Sequence, residues 1–146
     1  MIAQTIQLAL APVFVLVAMG NILNILSTRL GRIVDRSRHL QGRHMATEGP
    51  DHDMVVLEIR AIDRRIALIT RAIRLLVVSG LSIGMTVAVL FLEELVTLEL
   101  QLVAAGFFLL AVALLMAALV TFLREIQIAA KQLRIPRDYL ELEREL

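Results

Sequence analysis

Three stretches without a single Asp, Glu, Lys or Arg, at 6–26, 75–92 and 102–123, limit what this chain can fold into. The outer two approach or exceed the ~20 residues that a helix needs to cross a hydrocarbon core about 30 Å thick; the middle one reaches that length by drawing on Ala72 and Ile73. The expected spans are therefore 6–26, 72–92 and 102–123. Composition agrees: mean hydropathy is +0.78 and 58% of residues are hydrophobic, against roughly 45–50% in soluble domains. With 146 residues there is room for one small domain.

Charge around these runs gives an orientation. Arginine crowds the segment between the first and second runs, whereas the connection between the second and third holds Glu93, Glu94 and Glu99 and no basic residue. Residues 1–7 carry no charged side chain, and Arg29, Arg32, Arg36 and Arg38 follow the first run. That order is the reverse of a secretory signal. The positive-inside rule then sets the amino terminus outside, the acidic connection outside, and the segments 27–74 and 124–146 in the cytoplasm.

The basic segment has a helical pattern of its own. Leu23, Leu26, Leu30, Ile33, Ser37 and Leu40 alternate three and four apart, as do Val55, Ile59, Ile62, Ile66, Ile69, Ile73 and Leu76. Between these stripes, 41–53 contains Gly42, Gly49 and Pro50, the strongest turn signals in the chain, with Asp51 or Asp53 as the expected cap of the returning helix. The pattern predicts an antiparallel helical hairpin continuous with spans one and two. A helix running from Ile6 to Leu40 would be roughly 50 Å long.

If the bilayer edge lies at Ser27 on one arm and Arg74 on the other, equal steps outward pair Arg38 with Asp63, Arg43 with Glu58, and Asp35 with Arg65. Exposed pairs contribute only about 0–1 kcal/mol each, so they would set register more than stability. Nearer the membrane, Arg29, Arg32, Arg71 and Arg74 have no acidic residue at a matching height. This belt fits contact with anionic lipid phosphate, worth about 1 kcal/mol per basic residue. It also fits a charged ring at the mouth of an oligomeric pore.

A family resemblance emerges at these residues. Pro12, the stretch 21–26 and the run Arg29-Leu30-Gly31-Arg32-Ile33-Val34-Asp35-Arg36-Ser37-Arg38 resemble domain of unknown function 2721, a group of small bacterial membrane proteins. Glu58, Arg64-Arg65 and Ala72-Ile73 on the returning arm are similar to that family too, and the resemblance thins after Ile135. It implies a three-span protein of the bacterial envelope and brings no catalytic or ligand-binding residues.

Polar residues inside the spans are candidates for contacts between helices or for a hydrated passage. Asn21 and Asn24 lie three apart near the inner end of span one; Ser79, Ser82 and Thr86 lie at three and four spacing in span two, positioned to bond one another. Such contacts contribute about 0.6–2 kcal/mol in a bilayer. Gly80 and Gly84 form a small-xxx-small pattern for close helix approach, and Pro12 frees a carbonyl one turn earlier.

Several activities are disfavoured. No ionisable side chain sits at mid-membrane depth, as proton-coupled carriers usually require, and three spans leave no inverted repeat. Near balance of 15 basic and 14 acidic residues argues against nucleic acid as a partner. The chain has no Cys, no nucleophile elbow and no Gly-rich phosphate loop. His39, His44 and His52 gather at the expected turn with Glu48, Asp51 and Asp53, but their spacing matches no zinc signature and a solvated turn is the better reading. No metal or cofactor is expected.

The sequence thus describes an all-α, three-span protein of the bacterial inner membrane, amino terminus outside and carboxyl terminus cytoplasmic, non-enzymatic and homo-oligomeric. A structural, regulatory or partner-recruiting role through the hairpin is the first reading. An ion channel of several copies, with span one lining the pore, is the second. After the third span, a helix with Ile126, Ala129, Ala130 and Leu133 on one side should end at Pro136. The tail then offers Tyr139, Leu140 and Leu142 for a short amphipathic helix.

Overall fold

The computed structural model describes residues 2–96 and 99–132, and it is all-α over that range. Helix α1 spans Ile2–His44, α2 spans Pro50–Val96 and α3 spans Gln101–Gln132. Each contains a segment long and apolar enough to cross a membrane, as expected of a three-span membrane protein. Pro136 and the tail with Tyr139, Leu140 and Leu142 lie outside the described residues, as does Leu133.

The turn between α1 and α2 is tighter than the sequence suggests. It occupies 45–49 rather than 41–53. Gly49, at φ 69°, supplies the left-handed residue that reverses the chain, and its carbonyl accepts the amides of His52 and Asp53. Pro50 occupies the first helical position, where its missing N–H costs nothing. Asp51 and Asp53 therefore sit inside the first turn of α2, complementing the helix dipole instead of capping the helix. Across the turn the His44 and His52 rings lie 4.3 Å apart, and His52 Nδ1 is 3.1 Å from the Thr47 carbonyl.

The core follows a strict seven-residue step. On α1 the buried positions Thr5, Pro12, Met19, Leu26, Ile33 and Leu40 keep this step, with Ala9 buried beside them; on α2 Val55, Ile62, Ile69, Leu76 and Ile83 keep it. On α3 Ala104, Ala111, Ala118 and Glu125 keep it, and Ala129 is buried one turn further on. A sustained heptad is the pattern of left-handed supercoiled packing. The seams run the length of the helices, through the apolar spans and the hairpin alike.

Helix α2 lies between the other two and packs on both. It accordingly buries a second set of small positions, Ala72, Ser79, Ser82, Thr86 and Val89, beside its main seam. The alanine seam of α3 presents only methyl groups. That brings the backbone within reach of Ser79, whose hydroxyl donates to the Ala111 carbonyl at 2.6 Å, with Met19 Sδ 3.8 Å away.

Candidate functional site: a carboxylate held by two arginines

The α3 seam sets Glu125 one heptad beyond Ala118, so its side chain enters the protein instead of leaving it. The carboxylate is fully buried. Arg29 of α1 donates through Nη2 to Oε2 at 2.8 Å, and Arg65 of α2 donates through Nε to Oε1 at 2.9 Å. Three helices thus meet at one charged group. The Arg65 side chain is 19% exposed and that of Arg29 34%; the Arg29 guanidinium also lies 5.5 Å from the Phe122 ring centroid, within cation–π range. Arg29 Nε is buried without a hydrogen-bond partner.

Heptad geometry explains why three residues are needed. Arg29 and Arg36 each follow a seam residue, Leu26 and Ile33, by three positions; Glu58 and Arg65 follow Val55 and Ile62 in the same way. These flanking positions face across the hairpin. On one rung Arg36 donates both Nε, at 2.9 Å, and Nη2, at 2.6 Å, to Glu58 Oε1, and the hairpin neutralises itself. One heptad nearer the apolar spans, the same register brings Arg29 toward Arg65. Like charges there require a counter-ion, and Glu125 supplies it from the third helix.

Several expectations are corrected by this geometry. Glu58 pairs with Arg36 and not with Arg43, while Arg65 pairs with Glu125 and not with Asp35; Arg38 has no ion pair with Asp63. The tighter turn shifts the hairpin register, and Arg36 and Arg43 are seven residues apart on one helical face. Arg29 leaves the four-residue belt, because its acidic partner comes from α3. Arg32, Arg71 and Arg74 stay exposed, with no ion pair among the described residues. Register set by Ser79–Ala111 and Arg65–Glu125 puts Arg71 and Arg74 at the height of 116–119 of α3, within its apolar run. Side chains at that depth reach the interface by extending along the helix.

Among the intramembrane polar residues, Ser79, Ser82 and Thr86 are buried but do not bond one another's side chains. Ser82 donates to the Val78 carbonyl and Thr86 to the Ser82 carbonyl, one turn back on their own helix. Only Ser79 crosses to another element. Asn21 and Asn24 are exposed on the side of α1 away from its seam. A Cβ on Gly80 would meet Leu16 and Met19 at ordinary contact distance, so Gly80 faces α1, whereas Gly84 faces open space. Among the described residues no three His, Asp or Glu side chains converge as a metal site.

A family model described as a protein of unknown function, DUF2721, matches residues 9–135. The chain belongs to this family. Within this DUF2721 protein the matched stretch takes in Arg29, Arg65 and Glu125 together. No curated protein and no solved structure matched the chain.

The site's visible interactions are electrostatic. One carboxylate between two guanidiniums makes a set with one more positive than negative group, and among the described residues no group of three His, Asp or Glu side chains forms a metal site. Glu125 directly follows Arg124 at the end of span three, where hydropathy alone gives no reason to place it inside. Continuing the step from Ala104, Ala111 and Ala118 would have found it.

Proposed function

We propose that this DUF2721 protein is a non-enzymatic, self-associating protein of the bacterial inner membrane whose rigid hairpin extends into the cytoplasm to recruit a partner. The observation that carries this reading is the outer face of α1. Val17, Asn21, Asn24, Thr28, Arg32 and Asp35 follow one another at three- and four-residue steps opposite the seam; among the described residues Thr28 alone of these side chains forms a bond, to the Asn24 carbonyl, and the Asn21 and Asn24 amides make none. Facing lipid, an unpaired amide is costly. An amide both donates and accepts, so an identical copy satisfies it. Further along the same face, Arg32 and Asp35 carry the opposite charges that two parallel copies would exchange.

The hairpin suits recruitment because its seams continue to Leu40 and Val55, which stiffens a projection about 27 Å long beyond Leu26. In this reading Arg32, Arg71 and Arg74 contact anionic headgroups at the cytoplasmic face.

The same polar face supports a second reading, an ion channel in which copies turn Asn21 and Asn24 toward a shared axis. Arg29 has no place in its mouth, since Glu125 holds it; Arg32 would be the mouth cation.

Because the chain lacks cysteine, a single Asn24→Cys substitution reports self-association cleanly. Oxidative cross-linking in native membranes should give a dimer for Asn24→Cys and none for Leu81→Cys, an exposed position on α2. A monomer in both would sink the oligomer and the channel together. If the dimer forms, ion flux into liposomes separates the two: absence of flux for common ions removes the channel.

A further inference from the structure

We propose that a cleft between α2 and α3 at the hairpin end binds a phosphate group. The cleft, of about 470 Å³, is lined by Arg60, Ala61 and Arg64 from α2 and by Ile128 and Lys131 from α3. Three cationic side chains line it, and among the described residues no carboxylate does.

Charge sorting across this end of the molecule makes the cleft distinctive. Arg29 and Arg65 are held by Glu125, and Arg36 by Glu58. Arg60, Arg64 and Lys131 have no ion pair among the described residues, although they sit around one concavity. Arg60 and Arg64 are four apart on one helical face, so their guanidiniums extend side by side. Lys131 closes the cleft from the neighbouring helix. The small Ala61 leaves room at the base, and Ile128 provides an apolar wall that limits competing water.

Guanidiniums recognise phosphate oxygens through paired N–H donors, with an ammonium adding a compact charge. A phosphate monoester carries about −1.5 to −2 charges near neutral pH, which matches three converging cations better than a single carboxylate does. Depth admits two sources. Lys131 lies about 12 Å beyond Leu123, the end of the α3 apolar run, while the headgroup layer extends roughly 5–8 Å from the hydrocarbon core. The side chains can therefore reach back to a terminal lipid phosphate or outward to one in solution.

Binding is tested on the full-length protein in nanodiscs of phosphatidylcholine, either with inorganic phosphate added or with phosphatidic acid in the bilayer, by native mass spectrometry and thermal shift. Wild type should retain at least one of the two probes. Arg60→Gln, Arg64→Gln and Lys131→Gln should each weaken retention about tenfold, while Arg38→Gln and Arg43→Gln, which remove the same charge from α1, should leave it unchanged. Phosphate bound in solution identifies a soluble ligand; retention of phosphatidic acid alone identifies a lipid. Binding of neither probe by wild type overturns the proposal, as does equal weakening by the α1 variants. Matching melting temperatures without ligand would show that the variants are folded.

Discussion

Glu125 and Ala118 hold the same seam position on α3, one heptad apart and both buried, yet one ends in a methyl group and the other in a carboxylate. The exchange comes where the apolar run of α3 has just ended and where α1 and α2 would otherwise bring Arg29 and Arg65 together. Apolar layers join the spans up to this level. At this level a charged layer interrupts them, and its ion pairs join all three helices.

Replacing Glu125 by Gln keeps the shape and removes the charge, leaving two guanidiniums that face each other. Loss of one partner from a buried pair costs about 3–5 kcal/mol, and unfolding by a denaturing detergent should show destabilisation at the lower end of that range, because Arg29 is 34% exposed and can rehydrate. A variant as stable as wild type would show that the triad does not hold the helices.

The two arginines should not be equivalent. Arg65, at 19% exposure, is better shielded than Arg29, so Arg65→Gln should cost more than Arg29→Gln, and both more than Arg36→Gln, whose exposed pair contributes about 0–1 kcal/mol. Measured side by side, the order Arg65, Arg29, Arg36 is the expected result. A larger effect at Arg36 would overturn it.

Legibility in the sequence followed how local each signal was. Three helices, a hairpin continuous with two of them and the seams around Leu26, Ile33, Ile62 and Ile69 were all readable from apolar spacing. Register was not, because a seven-residue repeat looks the same after a slip of one heptad; Arg43 and Arg36 offer the same face, and only the five-residue turn chooses between them. Glu125 was hidden for a different reason. Hydropathy weighs a residue by type, and a charge just past an apolar run reads as solvated unless its helical face is followed. The split between cations that find carboxylates and cations that do not depends on α3, whose placement against the hairpin no local pattern specifies.

Packing along α3 makes its own prediction. The seam alanines leave space for α2 and nothing more, so Ala118→Leu should force the helices apart at a cost of about 1–3 kcal/mol. Ala113, exposed on the same helix, should accept leucine with little change. Equal stability of the two variants, read from the same detergent titration, would mean that the alanine seam is not a tight contact.

Hydroxyls in α2 give the last contrast, because three buried groups of similar chemistry have different partners. Ser79 donates to the Ala111 carbonyl of another helix, while Ser82 and Thr86 donate one turn back along their own. A hydrogen bond between helices in a bilayer contributes about 0.6–2 kcal/mol. One within a helix contributes nothing to the association of helices, since it survives when they separate. Ser79→Ala should therefore destabilise the protein by an amount in that range and Ser82→Ala by much less. Unfolding of both variants alongside Ser79→Thr checks the assignment: if Ser79→Ala and Ser82→Ala shift the midpoint equally, the bond to Ala111 is not what makes Ser79 matter. Ser79→Thr retains the hydroxyl but adds a methyl group to a fully buried position, so its loss would report the closeness of Met19 and Ala111, not the bond.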